Sequence, residues 1–286
     1  MDEELAGHPP AESFTRRGFV ATSLGVGIAL TTTPAMAQVT IRTDDAGLTA
    51  GDVTIPSPAG PIPAYRAMPD KGGVFPTILV VEEISGLQDY LKDVCRRLGK
   101  LGYFAVAPEL FARQGGLAHA ASQQQAMQML GATADAAVMA DLDAAAAWAR
   151  ASGKSDPARL GVTGFCLGGR VAWLYAEHNP ALKAAVVWYG RVVGTTDELH
   201  PANPLDRVAD IRCPVLGLFG GQDPSITAQS LERMKQAATA AGKKVEIVTY
   251  PDAGHAFHSD YRTSYQKKAA EDGWRRMQAW FKENGV

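Results

Sequence analysis

The fold of this chain is decided by residues 164–169, GFCLGG, a glycine-rich turn with Cys166 at its centre. Residues 159–163 before the turn predict a short buried strand, and residues 170–175 after it predict a helix. Glycines allow a sharp, strained reversal between such a strand and helix, and the reversal exposes the central side chain. We therefore expect Cys166 at a helix N-terminus, where free N–H groups and the helix dipole favour a thiolate.

Taken alone, this turn is compatible with two roles for its cysteine. Cys166 is either a thiol nucleophile, with the backbone N–H of Leu167 as one donor to an oxyanion, or a small buried apolar residue. Other residues, of the right type and in the right order, are needed to separate the two roles.

Two further residues supply what such a nucleophile requires. In folds where a strand-turn-helix of this kind carries the nucleophile, an acid and then a histidine follow it along the chain, as Asp223 and His255 do here. They come just after the predicted strands 214–219 and 245–250, at the edge where parallel strands end. Singly, Asp223 also fits a helix N-cap and His255 an ordinary loop histidine. Their joint order and placement predict a triad with Cys166.

Five motifs, in order, resemble those of the dienelactone hydrolases, which are cysteine members of the α/β-hydrolase fold. The resemblance runs from about residue 53 to residue 281. It implies an α/β fold with a doubly wound, mostly parallel sheet of the α/β-hydrolase type. The motifs are Glu83-Ile84-Ser85-Gly86, residues 108–114 (PELFARQ), residues 164–169, Gly220-Gly221-Gln222-Asp223 and Ala253-Gly254-His255-Ala256-Phe257.

The resemblance also implies roles for residues outside the triad. The glutamate that matches Glu83 holds the thiol neutral and takes part in its activation, and the arginine that matches Arg113 engages a substrate carboxylate. The oxyanion donors are expected to be the backbone N–H groups of Ile84 and Leu167. Glu82 competes with Glu83, because adjacent strand side chains point to opposite faces. Glu83 is preferred because it directly precedes Ile-x-Gly.

The chain departs from the family pattern around the substrate pocket. The family usually has a second carboxylate-binding arginine at the position of Ser259, and often an aromatic residue at that of Ser85. Arg262 is near enough in sequence to reach the same carboxylate, although a shifted loop would make a different pocket. Tyr189 is expected to wall the pocket or to cap the core. His258 is expected to line the pocket or to face solvent.

The N-terminal region has the three ordered parts of a twin-arginine export signal. Arg16 and Arg17 precede a weakly apolar run over residues 20–33, and residues 35–37 (AMA) resemble a cleavage site. The apolar run is short for a membrane span, so we expect cleavage after residue 37 and no stable membrane insertion afterwards. The predicted location is periplasmic or secreted, with the twin-arginine machinery as the export partner.

Composition limits the other partners. The 286 residues include 28 Lys and Arg and 30 Asp and Glu, and the chain beyond residue 37 is formally neutral, so we expect no nucleic-acid partner. The histidines show no metal-ligand spacing, and we expect neither a metal nor a cofactor. Three cysteines exclude a full disulfide framework. Cys95 and Cys213 are expected to be buried apolar residues, and a bridge between them stays open.

The order of strand and helix patterns predicts that residues 38–286 form a single α/β domain. An opening hairpin is expected over residues 52–66. Helices are expected near residues 87–101, 123–151, 226–241 and 265–281.

Together these patterns predict a hydrolase without a cofactor. It is expected to cleave lactones or activated carboxylic esters, with a carboxylate on the substrate, through a thioester acyl-enzyme. Two alternatives stay open: a broad-specificity carboxylesterase, and a non-hydrolytic thiol-sensing or binding protein on the same fold.

Overall fold

The computed structural model describes residues 40–286, which are built around one sheet of eight strands. In chain order the strands are β1 Leu48–Ile55, β2 Ile62–Pro69, β3 Phe75–Val81, β4 Phe104–Pro108, β5 Ser155–Phe165, β6 Leu182–Trp188, β7 Val215–Gly220 and β8 Val245–Tyr250. Across the sheet they lie in the order β1-β2-β4-β3-β5-β6-β7-β8.

Six α-helices pack on this sheet within the described residues. They are α1 Asp89–Lys100, α2 Gln123–Gly131, α3 Asp135–Ala151, α4 Leu167–His178, α5 Ala228–Ala240 and α6 Lys267–Glu283. Three 3₁₀ turns accompany them, at Ala112–Gln114, Leu117–His119 and Pro204–Asp210.

The sheet is parallel except at one strand. β2 pairs antiparallel with β1 on one side and with β4 on the other, and the remaining neighbours pair in parallel. The predicted hairpin is β1 with β2, which pair from Leu48 with Pro69 to Ile55 with Ile62. The predicted α/β fold with a mostly parallel sheet is confirmed.

Burial follows the position of each strand in the sheet. The central strand β6 ends in five consecutive buried residues, as expected for a parallel strand covered on both faces. The edge strand β8 has no fully buried residue. The largest buried side chains include Phe165 at the end of β5, Trp188 at the end of β6 and Trp173 in α4. Three of the largest buried side chains therefore belong to the elements that flank the turn of Cys166.

The helix expected over residues 123–151 is two helices, α2 and α3, because the backbone of Ala134 is extended, with φ −64° and ψ +141°. The hydroxyl of Thr133 donates to the carbonyl of Met129, and the Thr133 carbonyl accepts from Nε2 of His200. Asp135 N–H donates to the Leu199 carbonyl. The long loop after β6 thus binds the junction of α2 and α3, a contact that a local sequence pattern does not reveal.

The carboxyl ends of the parallel strands carry the predicted site residues, at the edge where open α/β sheets place ligands. Glu83 follows β3, Cys166 follows β5 and Tyr189 follows β6. Asp223 follows β7 and His255 follows β8. Residues that are up to 172 positions apart in sequence therefore meet through strand order alone.

Several predictions concern other features of the chain. The predicted export signal, including Arg16 and Arg17, lies outside the described residues. Among residues 40–286, no helix combines the length and the apolar character needed to cross a membrane. In the same part of the chain no group of three or more His, Cys, Asp or Glu side chains is arranged to hold a metal ion. Cys95 and Cys213 are both buried and unbridged.

Candidate active site

Cys166 occupies a strained turn between β5 and α4. Its φ is +55° and its ψ is −113°, an unusual conformation for a residue with a side chain. The Cys166 N–H donates to the Trp188 carbonyl at 3.0 Å, which fixes the turn to the end of β6. A Cβ on Gly164 would collide with the Gly168 carbonyl, and one on Gly168 with the Val81 carbonyl. The glycines are therefore required by close backbone approach, and the turn leaves Cys166 partly exposed.

Asp223 and His255 form a tight pair. Nδ1 of His255 donates to Oδ2 of Asp223 at 2.6 Å. The other carboxylate oxygen, Oδ1, accepts from the N–H of Ser225 at 2.8 Å and from its hydroxyl at 2.6 Å. Burial opposes the charged form, but these hydrogen bonds and the charge of His255 outweigh it and hold the pKa of Asp223 below its usual value. Asp223 is thus an ionised, fixed acceptor that orients the imidazole.

The imidazole of His255 is also influenced by Cys166. Burial alone would lower the pKa of the imidazole, but the charge of Cys166 and the hydrogen bond to Asp223 raise it to about 10. Nε2 is buried and has no hydrogen-bond partner of standard geometry among residues 40–286. The ring of Tyr189 packs edge-on against the imidazole, with 5.1 Å between centroids. The arrangement can hold a thiolate–imidazolium pair.

Glu83 is buried, with 1% of its surface exposed, and both of its oxygens have partners. Oε1 accepts from the Ser259 hydroxyl at 2.9 Å, and Oε2 accepts from the Tyr261 hydroxyl at 2.8 Å. Nη2 of Arg262 and the Ser85 hydroxyl both lie 3.4 Å from Oε2. Four side chains therefore converge on one carboxylate.

Arg262 lies in this site. Its Nε donates to the Tyr261 hydroxyl at 2.8 Å, and 16% of its side chain is exposed. Burial opposes the charge on the guanidinium, but the negative charges of Glu83 and Cys166 contribute to raising its pKa. Arg262 therefore lies against the buried carboxylate and within the influence of the Cys166 charge, and part of its surface is exposed.

Arg113 has a different environment from the one predicted. Its guanidinium makes a two-pronged ion pair with Asp141 of α3, with distances of 2.6 and 2.9 Å. Nε donates to the Ala59 carbonyl at 3.0 Å, and Nη2 donates to the Ser57 hydroxyl at 2.9 Å. Arg113 thus ties the turn between β1 and β2 to α3 with its fork engaged by Asp141, and the substrate role that the resemblance implies stays a prediction.

The two predicted oxyanion donors are free to bind a ligand. Among the described residues, neither the Ile84 N–H nor the Leu167 N–H donates a hydrogen bond. Ile84 lies in a tight turn closed by the Gly86 N–H and the Glu83 carbonyl at 2.9 Å. A Cβ on Gly86 would collide with the backbone of Ala118, so this turn is packed against the 3₁₀ turn Leu117–His119.

Tyr189 and His258 lie deeper than a pocket wall. Tyr189 is fully buried, has a φ of +39°, and its hydroxyl is 3.3 Å from that of Ser259. His258 is 3% exposed, and its Nδ1 lies 2.6 Å from the Tyr90 hydroxyl. The expectation that His258 lines the pocket or faces solvent was wrong. Its ring stacks on Trp274 and packs against the aromatic core.

Sequence reasoning missed Tyr90 and Tyr261. Tyr261 directly precedes Arg262, and its proximity to that arginine was the available signal. Tyr90 gave none, because its partner, His258, lies 168 positions away.

The sequence model described as "Dienelactone hydrolase family" matches residues 62–285. The chain belongs to the dienelactone hydrolase family. It is 56% identical over 287 residues to a protein of Methylorubrum extorquens named "Putative carboxymethylenebutenolidase", an alignment that covers 100% of this chain and 99% of that protein. An Escherichia coli K12 protein of the same name is 47% identical and covers 93% of this chain, with 98% of its own length matched.

A solved structure gives the same result. The crystal structure of a dienelactone hydrolase-like protein from Klebsiella pneumoniae superposes with a TM-score of 0.80 at 47% identity, and it covers 82% of this chain and 98% of its own. This member of the dienelactone hydrolase family is therefore a hydrolase that acts on esters or lactones.

Proposed function

We propose that this dienelactone hydrolase-family enzyme cleaves lactones or activated carboxylic esters through a Cys166-His255-Asp223 triad and a thioester intermediate. The observation that carries the proposal is the 2.6 Å bond from His255 to Asp223, next to a cysteine held on a strained turn. A nucleophile, a base and a group that orients the base are the minimum set for acyl transfer.

The reaction follows from these positions. Cys166 attacks the acyl carbon as a thiolate, and the N–H groups of Ile84 and Leu167 bind the resulting oxyanion. Collapse breaks the bond to the leaving oxygen, which takes the proton from Nε2 of His255, and leaves a thioester. The neutral imidazole then removes a proton from water. The hydroxide attacks the thioester, and collapse releases the acid and restores the thiolate with a protonated His255.

We also propose that the substrate carries a carboxylate and that Arg262 binds it. Arg262 is partly exposed and lies against Glu83, and the charge of Cys166 acts on it, whereas Arg113 is paired with Asp141. The relatives' name, carboxymethylenebutenolidase, refers to a butenolide, which is a lactone, with a carboxymethylene group. Such a substrate agrees with the proposal.

For Glu83 we propose a part in activating the thiol. Arg262 interacts with the charges of both Glu83 and Cys166. A substrate carboxylate that binds Arg262 competes with Glu83 for the same guanidinium. Only a substrate with a carboxylate would therefore change the charge balance around the thiol when it binds.

The test uses residues 38–286 of the parent, a Cys166→Ser variant and a Cys213→Ala control. Each is mixed with neutral and carboxylate-bearing enol esters and lactones, and product release and protein mass are followed. We expect turnover and a thioester adduct in the parent and in Cys213→Ala. In Cys166→Ser we expect no thioester and a loss of turnover of at least about 10³-fold.

The outcomes separate the candidate functions. Turnover that favours carboxylate-bearing substrates supports the proposal as stated. Turnover without that preference indicates a broad-specificity carboxylesterase. If no substrate is turned over and no adduct forms, a thiol-sensing or binding protein replaces the proposed enzyme.

We further propose that residues 1–37 direct twin-arginine export and that the mature protein is periplasmic or secreted. The support is the sequence alone: Arg16-Arg17, the apolar run and the AMA site. N-terminal sequencing of the protein from a periplasmic fraction is expected to start at Gln38. Replacing both arginines by lysine is expected to keep the full-length chain in the cytoplasm, and unchanged export of that variant would contradict the proposal.

A further inference from the structure

A second glutamate, Glu82, lies beside Glu83 and is fully buried at the end of β3. Its Oε1 accepts the N–H of Leu110 at 2.7 Å. Its Oε2 is buried and has no hydrogen-bond partner among residues 40–286. No cation pairs with it in that part of the chain. A carboxyl group without a counter-ion in such a place requires an explanation, because an isolated buried charge is strongly unfavourable.

The environment of Glu82 keeps the group uncharged near neutral pH. Burial raises its pKa to about 8, and the charge of Glu109, just after β4, adds to the effect. The backbone N–H groups of Leu110, Phe111 and Leu87 oppose this in part. Glu109 is the charged side chain that acts on Glu82. The loops that contain Leu87 and residues 110–111 act on Glu82 through backbone N–H groups.

The position of Glu82 links it to both oxyanion donors. Two residues further on is Ile84, and Leu87 of the same loop has a backbone N–H that acts on the pKa of Glu82. On the other side, the carbonyl of Glu82 lies against Gly168, so closely that a Cβ there would collide with it. Gly168 directly follows Leu167. A shift of Glu82 would therefore move the two donors relative to each other.

We propose that Glu82 is a positioning residue of the oxyanion hole, which fixes the Ile84 N–H relative to the Leu167 N–H. This inference rests on the proposed function. Ionisation of Glu82 would place a buried negative charge beside the site where an oxyanion forms, and would weaken both the loop geometry and the binding of that oxyanion.

Three variants test the inference: Glu82→Gln, Glu82→Leu and Glu109→Gln. Glutamine copies the uncharged acid and keeps an acceptor for Leu110, so kcat at pH 7 is expected to stay within about threefold of the parent and to persist above pH 8, where the parent loses activity. Leucine removes the acceptor. We expect its kcat to fall at least tenfold with KM within threefold, because the lost interaction acts in the transition state.

Glu109→Gln tests the charge on Glu82 directly. It removes the charge that helps to keep Glu82 protonated, so the alkaline loss of kcat is expected to move to lower pH. If Glu82 had a merely structural role, Glu109→Gln would not shift the pH at which kcat is lost. If Glu82→Gln keeps the parent's alkaline limb, or if Glu82→Leu keeps the parent's kcat, the inference is overturned.

Two measurements do not depend on turnover, and so separate this inference from the proposed function. Hydrogen exchange of a peptide over residues 83–88 is expected to quicken in Glu82→Leu and to stay at the parent's rate in Glu82→Gln. The melting temperature of Glu82→Gln relative to the parent is expected to rise as the pH goes from 5 to 8, since the parent alone must keep a proton on the buried acid. Exchange that is unchanged in both variants would overturn the inference even in a protein without turnover.

Discussion

Arg262 lies against the buried carboxylate of Glu83, with 3.4 Å between Nη2 and Oε2, and the Tyr261 hydroxyl bridges the two. The hydroxyl accepts from Arg262 and donates to Glu83, so both charged groups are held in a defined geometry. Arg262 is the guanidinium of this site that is partly open to an incoming anion. The pair is therefore the place where the proposed substrate carboxylate would bind.

Arg262→Ala is expected to lower kcat/KM for carboxylate-bearing substrates by about 10- to 100-fold, the value of a charge-assisted hydrogen bond of about 1.5–3 kcal/mol. Neutral esters are expected to lose less than about threefold. Arg262→Lys is expected to recover part of the loss, because lysine keeps the charge but not the planar fork. Steady-state kinetics on matched carboxylate and methyl-ester substrates measure the difference. Equal losses on both substrates would contradict the assignment.

Arg113→Ala is the matched control. It leaves Asp141 buried and unpaired, so the expected effect is a loss of about 1–3 kcal/mol in the free energy of unfolding, measured by urea denaturation. The ratio of carboxylate to neutral turnover is expected to be unchanged. A selective loss of carboxylate turnover in this variant would restore the role that the family resemblance implied for Arg113.

The two arginines show that the position of a residue after a strand does not always predict where its side chain lies. Cys166, Asp223 and His255 are short side chains that follow directly on parallel strands, so backbone topology alone brings them to one edge. A long arginine side chain is not placed by its backbone. Arg113 turns to Asp141 of α3, and nothing in the local sequence announces that partner.

The buried polar partners were equally out of reach of the sequence. The hydroxyls of Ser259 and Tyr261 reach Glu83 across about 180 positions, and the Tyr90 hydroxyl reaches His258 across 168. Such pairs follow from the path of the loop after β8, and a single sequence without regular periodicity in that loop does not fix its path.

Cys166→Ala is expected to lower the pKa of His255 from about 10, because the thiolate charge is a main cause of the raised value. A raised imidazole pKa stabilises the folded protein below the unfolded value of about 6.5, and this contribution is lost as the pH rises through the folded value. NMR titration of the imidazole gives the pKa in both proteins. An unchanged pKa in Cys166→Ala would show that Asp223 alone raises it.

Gly168→Ala is expected to destabilise the protein by several kcal/mol and to abolish turnover, because the new Cβ would collide with the Val81 carbonyl. Gly131→Ala is the control, since a Cβ in that α2 position meets nothing within 4 Å. Alanine is the better helix former, and the control is expected to gain up to about 1 kcal/mol. Thermal melting measures both. Similar melting temperatures for the two variants would contradict the close approach of β3 and α4.

Because of His258, the free energy of unfolding is expected to decrease as the pH falls. Burial lowers the pKa of its imidazole to about 3, so the folded protein keeps it neutral while the unfolded chain protonates it near pH 6.5. Its contribution is present above pH 6.5 and is lost as the pH falls towards 3, by about 1.4 kcal/mol per pH unit. His258→Gln removes this titration. Urea denaturation between pH 4 and 7 measures the free energy of unfolding. As the pH falls, this free energy is expected to decline less steeply in His258→Gln than in the parent, and the difference in slope corresponds to about one proton. Tyr90→Phe is expected to keep the parent's slope. Parallel declines in the parent and in His258→Gln would mean that His258 is protonated in the folded state.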